Sequence, residues 1–306
     1  MAVAVRHVML EAGTRDEVRD VVLHLPFARR FAHRFVAGEH RDDGLRAVRE
    51  LKAQGVEATV DYLGENVRDR AAAERIADEY EALLADFAAW RLNSHVSVKL
   101  TALGLDVDEA LCRELVGRIA ARAAANDAFV RFDMEGSAYT ERTLAFFRRI
   151  RPAHPNVGVV LQAYLRRTAD DVEEMNRLGA RVRLCKGAYD EPPEIAFPEK
   201  PEVDANYRQL AERLLMDGNY PALATHDPRM IRHALDVARA NGIGPDRFEF
   251  QMLYGIARPI QRRLVEAGYR VRVYVPYGTE WYGYFLRRLA ERPANLLFFL
   301  GAAVRR

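Results

Sequence analysis

From residue 58 onward the chain alternates between short β-branched or apolar runs and longer amphipathic stretches. The runs cover 58–63, 95–101, 129–134, 157–164, 181–188, 222–226, 248–253 and 270–275, and their first residues lie 37, 34, 28, 24, 41, 26 and 22 positions apart. Each interval holds a loop, a helix and a return, as a parallel crossover requires. The intervening stretches, 66–90, 106–126, 140–151, 168–178, 206–216, 228–241 and 259–267, place apolar residues at helical spacing, and Gly179 and Gly242 stand where helices stop. Eight strands separated by helices predict an α/β fold, a (β/α)8 TIM barrel, eight being the number that closes. The rival, an open doubly wound sheet, would show a Gly-rich turn after a strand, and neither GxGxxG nor GxxxxGK[ST] occurs.

Residues 1–57 read as an N-terminal helical extension, with helices over 15–25, 27–37 and 44–54, leaving 58–306 as the barrel domain. In the second of these helices Arg29, Arg30, His33 and Arg34 interleave with Phe27, Phe31 and Phe35. Such a face could lie on an anionic membrane; the ordinary amphipathic alternative packs the phenylalanines on the barrel and solvates the basic face. After the fifth run, 189–204 carries four prolines and six acidic residues. A long loop at the C-terminal face of a barrel is a candidate lid.

Composition narrows the class. With 49% of 306 residues hydrophobic the chain can bury a large core, which excludes disorder. Its 46 basic residues against 44 acidic ones argue against a protein built to coat nucleic acid. The two cysteines, Cys112 and Cys185, form neither a disulfide framework nor a zinc motif. The first residues lack the pattern of a signal peptide, and no run of 18 uncharged apolar residues occurs. The expectation is a soluble protein of a reducing compartment.

Function in such a barrel gathers where strands end. Those ends carry Asp61 and Glu65; Lys99; Asp133 and Glu135; Gln162 and Tyr164; Arg183, Lys186 and Tyr189; Thr225, His226 and Asp227; Gln251; Tyr274 and Tyr277. Charges at Lys99, Asp133 and Arg183 are costly inside a barrel unless paired or used. By period-two alternation Lys99 shares a face with Ser97 and Thr101, and Asp133 with Arg131. Lys99 and Asp133 could therefore meet across the mouth, either as working groups or as an ion pair plugging the barrel. Arg183 could also be a salt-bridge partner; Arg181 shares its face but lies nearer the strand's start. His226 has no HxH or HExxH company, so no metal role is assigned. Near the C-terminus Tyr284, Arg287, Arg288 and Glu291 fall at i, i+3, i+4 and i+7, on one helical face. Two guanidiniums and a phenol make a fork suited to a carboxylate or phosphate. The plain alternative is a solvated helix with an Arg287–Glu291 pair worth roughly 0.2–0.5 kcal/mol.

The ordered set DYLGE (61–65), SVKLTALG (97–104), RFDME (131–135), VVLQAY (159–164), RLCKGAY (183–189), ATHD (224–227), FEFQML (248–253), RVYVPYG (272–278) and YFLRRLAER (284–292) strongly resembles the proline dehydrogenases. It looks like the monofunctional bacterial form and is similar to the corresponding domain of bifunctional proline-utilisation proteins. The resemblance implies a distorted (β/α)8 barrel that binds FAD at the C-terminal ends of its strands. It implies oxidation of L-proline to Δ1-pyrroline-5-carboxylate, with electrons passed to a membrane quinone. By position, Lys99, Arg287 and Arg288 would bind the proline carboxylate, and Asp133 would shape the pocket near Lys99. Tyr189, Leu253, Tyr274 and Tyr284 would line it. Arg183 would lie against flavin N5, with Met134, Gln162, Lys186, Gly187, Ala188, Thr225 and His226 also on the FAD. Glu65 would pair with Arg287 to gate the site. Asp190 departs from the family, whose longer members often carry tryptophan there, which puts the flavin surroundings at that position in question. The same resemblance implies a cytoplasmic protein, peripheral on the inner face of the membrane, with pyrroline-5-carboxylate dehydrogenase as a further partner and no nucleic acid. Hydroxyproline dehydrogenase is the alternative within the family, although the Tyr274 phenol would crowd a ring hydroxyl. A non-catalytic carboxylate sensor would not need Lys99, Arg183, Arg287 and Arg288 together. A DNA-binding regulator would need a helix-turn-helix, which the first 57 residues do not show.

Overall fold

The computed structural model of the chain describes residues 32, 34–64 and 66–290. Eight parallel strands close in sequence order: β1 (Glu57–Tyr62), β2 (His95–Val98), β3 (Val130–Phe132), β4 (Val157–Gln162), β5 (Val182–Cys185), β6 (Ala222–Ala224), β7 (Glu249–Leu253) and β8 (Arg270–Tyr277). β8 returns to pair with β1 over Glu57↔Arg272 to Tyr62↔Tyr277. Among the described residues the helices are α1 (Arg41–Lys52), α2 (Arg70–Ala89), α3 (Glu109–Ala124), α4 (Ser137–Ile150), α5 (Thr168–Arg177), α6 (Lys200–Asp217), α7 (Pro228–Ala240), α8 (Arg258–Glu266) and α9 (Trp281–Ala290). All eight predicted strands are present, and the barrel is the predicted one.

The hydrophobic core lies between the strands and the helices. Val60, Val96, Val98, Val130, Phe132, Val159, Leu184, Phe250, Val273 and Val275 point outward and are buried against Leu83, Leu115, Phe147, Leu214 and their neighbours. The opposite, inward set along the same strands is polar: Thr59, Asp61, Ser97, Arg131, Arg183, Glu249, Gln251 and Arg272 are all buried. Branched aliphatic side chains usually fill this space. Here hydrogen bonds and ion pairs must satisfy it instead.

Local signals set the helix starts. Asp69, Asp108 and Asp227 each accept a backbone N–H in the first turn of α2, α3 and α7. α4 begins three residues before the predicted 140 because Glu191, from the β5–α6 loop, caps it: the Ser137 N–H donates to Glu191 Oε1 at 2.6 Å, and the hydroxyl reaches the other oxygen. The acidic segment 189–204 is only partly loop. Lys200 to Asp204 already belong to α6, opened by a Glu199/Glu202 capping box. The rest folds back on the β4 exit through Phe197 N–H to Tyr164 O at 2.8 Å.

Of the predicted N-terminal helices, 15–25 lies outside the described residues, as do Phe27, Arg29, Arg30, Phe31 and His33. The third forms α1, whose Leu45, Ala47, Val48 and Leu51 join the barrel core. Ala32, Phe35 and Val36 pack in a separate cluster with Leu63 and with Trp281, Tyr282, Tyr284 and Phe285 of α9. Two backbone bonds tie this segment to the β8 exit, Ala37 N–H to Pro276 O at 2.8 Å and Gly278 N–H to Gly38 O at 3.0 Å. No helix among the described residues is long and apolar enough to cross a membrane.

Candidate active site

The C-terminal mouth of the barrel is built around two carboxylates, Asp61 buried and Asp133 partly buried. Asp61, near the end of β1, receives the Lys99 ammonium at 2.9 and 3.1 Å. Asp133, just past β3, receives Arg183 Nη1 on Oδ1 at 2.8 Å and the Tyr274 hydroxyl on Oδ2 at 2.6 Å. Lys99 stands 3.9 Å from the same Oδ2, so it bridges the two acids. Arg183 is further held by its Nη2 on Ser97 Oγ at 3.0 Å, and its guanidinium carbon lies 5.4 Å from the Tyr274 ring centre. Its Nε is buried and has no hydrogen-bond partner among the described residues.

The electrostatics follow from burial. It pushes the Asp61 carboxyl up, and the Lys99 ammonium pulls it back without fully cancelling the cost. Burial, reinforced by the neighbouring Asp133 charge, holds the Tyr274 phenol well above its ordinary value. Tyr274 therefore keeps its proton and serves as a donor.

Around this centre lie the strand exits. Gln162 Nε2 donates to the Glu135 carbonyl at 3.0 Å, and the Thr101 hydroxyl donates to the Glu135 carboxylate at 2.7 Å. Past β5, Gly187 adopts φ +115°, and a Cβ there would stand 2.2 Å from the Tyr164 ring, so only glycine fits this turn. Lys186 bridges Asp204 and Asp227, and Arg229 joins both acids. Its partners pull the Asp227 carboxyl far below the usual carboxylate range, the Arg229 hydrogen bond most of all. His226 Nε2 accepts the Leu253 N–H at 2.9 Å, which places the imidazole proton on Nδ1. On α9 the Arg288 guanidinium carbon lies 5.2 Å from the Tyr284 ring centre, as the i, i+4 spacing predicts.

This arrangement has known counterparts. The family model for proline dehydrogenase matches residues 44–299. The chain belongs to the proline dehydrogenase family. It is 43% identical over 267 residues to "Proline dehydrogenase 2" of Bacillus subtilis, covering 87% of this chain and 88% of that one. To "Proline dehydrogenase" of Deinococcus radiodurans it is 42% identical over 272 residues, with the same coverage. Among solved structures, proline utilization A (PutA) from Bdellovibrio bacteriovorus inactivated by N-propargylglycine superposes with a TM-score of 0.80 at 29% identity. That match covers 86% of this chain and 32% of the other. As a family member the chain is an enzyme, an oxidoreductase acting on proline.

Within the family frame, the structure brings Lys99, Asp133, Arg183 and Tyr274 into one network. Met134, Gln162 and Thr225 are buried at strand ends, while Gly187, Ala188 and Leu253 are half-buried beside them. Tyr189 packs against the cluster of Tyr164, Leu165 and Ala196. Tyr284 is buried, and Arg287 and Arg288 are half-buried, on α9. Glu65 lies outside the described residues, so its pairing with Arg287 is not described, and neither is the Arg287–Glu291 pair. Two neighbours escaped assignment by sequence. Asp61 is one of the strand-end residues, and Ser97 shares Lys99's face, but neither carries a role in the sequence reading. The period-two pattern Thr59–Asp61, placed beside Ser97–Lys99 in adjacent strands, was the available signal.

Proposed function

We propose that this enzyme oxidises L-proline to Δ1-pyrroline-5-carboxylate with FAD as its cofactor. The observation that carries the reading is Arg183: two of its nitrogens are fixed by Asp133 and Ser97, and the third is buried with no partner among the described residues. A buried guanidinium N–H left over in a family that oxidises proline fits an electron-rich acceptor such as a flavin ring nitrogen. The surrounding donors fit the rest of such a group. Gln162, Lys186, Gly187, Ala188, Thr225 and His226 would hold it along the exits of β4, β5 and β6, and Met134 would supply apolar contact. When bound, the flavin supplies the acceptor, at N5, for the hydride that leaves proline C5.

The chain's own residues bind, orient and keep out water. Lys99, Arg287 and Arg288 would clamp the proline carboxylate, and bidentate guanidinium contacts give such a clamp its directionality. Tyr189, Leu253, Tyr274 and Tyr284 would enclose the ring. Arg183 provides a fixed positive charge where negative charge develops, at no cost in reorganisation. Tyr274, held on Asp133 at 2.6 Å, cannot easily swing away, which disfavours a ring hydroxyl and supports proline over hydroxyproline. Its raised phenol also removes it as a general base. No dedicated base is assigned.

Electrons would leave to a membrane quinone, with the enzyme peripheral on the inner face of the cytoplasmic membrane and pyrroline-5-carboxylate dehydrogenase receiving the product. Glu65 with Arg287 would gate the mouth. The purified protein should be yellow and release a cofactor whose mass is that of FAD. It should reduce a soluble quinone with L-proline and far more slowly with hydroxyproline. A colourless protein, or one releasing a different cofactor, contradicts the reading.

A further inference from the structure

We propose that Asp61 is the positioning residue for Lys99, the carboxylate that fixes the ammonium where it can meet the substrate. The inference rests on the reading that Lys99 binds the proline carboxylate. Lys99 follows β2, which ends at Val98, and a lysine side chain is a flexible four-carbon stem ending in a point charge. Something must hold it. Asp61 and Asp133 are both within reach, and their engagements differ. Asp133 has one oxygen on Arg183 at 2.8 Å and the other on Tyr274 at 2.6 Å, leaving Lys99 at 3.9 Å. Asp61 faces Lys99 with both oxygens, at 2.9 and 3.1 Å. Asp61 is 0% exposed, rooted on β1 in register with Ser97, and braced by the Tyr80 hydroxyl of α2 at 3.3 Å.

The charges support the same assignment. Lys99 and Arg183 are matched in number by Asp61 and Asp133, so the charges of these four groups sum to zero. Without Asp61, the nearest carboxylate to Lys99 among the described residues is Asp133, already committed to Arg183 and Tyr274. The ammonium would be drawn toward that pair and away from its place in the clamp.

The test uses the holoenzyme and two ligands: tetrahydrofuran-2-carboxylate, which has proline's ring size and carboxylate but no amine, and pyrrolidine, which lacks the carboxylate. Asp61→Asn should weaken tetrahydrofuran-2-carboxylate binding, measured by calorimetry, roughly 10–100-fold, the worth of one charge-assisted hydrogen bond. Pyrrolidine should bind as in the parent, and proline KM should rise more than kcat falls. The double variant with Lys99→Met should bind no more weakly than Lys99→Met alone, because Asp61 acts through Lys99. If Lys99→Met weakens binding while Asp61→Asn does not, or if the two losses add, the assignment of Asp61 is wrong. If Lys99→Met itself leaves affinity unchanged, the carboxylate reading of Lys99 fails, and the proposal with it. Should Asp61→Asn alone not fold, the double variant against Lys99→Met decides: equal affinity supports the proposal, a further loss overturns it.

Discussion

Two layers of charged side chains fill this barrel, and they are satisfied differently. Toward the N-terminal end of the strands, Arg272 is held on all three nitrogens: Nε and Nη2 on Glu249, Nη1 on the Ala58 carbonyl, and Nη2 also on Glu57. Burial opposes ionisation of Glu249, and the Arg272 guanidinium outweighs it, bringing the carboxyl down to about 2. His95 sits beside these groups, 5.8 Å from the Phe129 ring centre, and burial holds it well below its ordinary value, so it is neutral. In that layer the amide oxygen of Gln251 has no hydrogen-bond partner among the described residues. At the C-terminal mouth a guanidinium N–H of Arg183 is buried with no hydrogen-bond partner among the described residues. A closed ion pair packs the barrel; one with a strong donor unspent is arranged for something that binds. Buried charge by itself therefore says little about function.

Breaking each layer should separate the two roles. Arg272→Met strands Glu249 and should cost about 3–5 kcal/mol, much of the stability of an ordinary domain, measured by urea unfolding. Arg183→Met should instead lower kcat/KM for proline about 10²–10³-fold while losing less stability than Arg272→Met. If both variants lose equal stability and equal activity, the comparison fails. The lower layer also has a pH signature. Glu249 ionises at about 2 in the folded protein and near the ordinary glutamate value of ~4.3 when unfolded, so its contribution is complete above the unfolded value. That contribution, on the order of 3 kcal/mol, is lost as pH falls through the folded value. Urea unfolding between about pH 5 and 2 should therefore be less pH-dependent in Glu249→Gln than in the parent. On α9, Arg288→Met should raise proline KM about 10–100-fold, with little change in stability because its side chain is only half-buried. An unchanged KM would place the carboxylate elsewhere.

Much of this was legible in the residues. Strand spacing gave the barrel, since crossover length and β-branched runs are local properties of the chain. The period-two alternation already put Lys99, Asp133 and Arg183 on inward faces. What it could not choose was the partner of Lys99, because β2 has β1 on one side and β3 on the other, each with an aspartate near its end. Only the register, with Asp61 beside Ser97, and the prior claims of Arg183 and Tyr274 on Asp133 decide it. The early start of α4 was hidden for a different reason: its cap, Glu191, lies 54 residues further along the chain. The last predicted residues of strand five were lost to Gly187, whose positive φ ends the extended backbone.

The most direct test of the account is an anaerobic absorbance titration of the purified enzyme with L-proline. Flavin bands should bleach as proline is added, and bleach much more slowly in Arg183→Met. A spectrum without flavin, or flavin bands indifferent to proline, would contradict it.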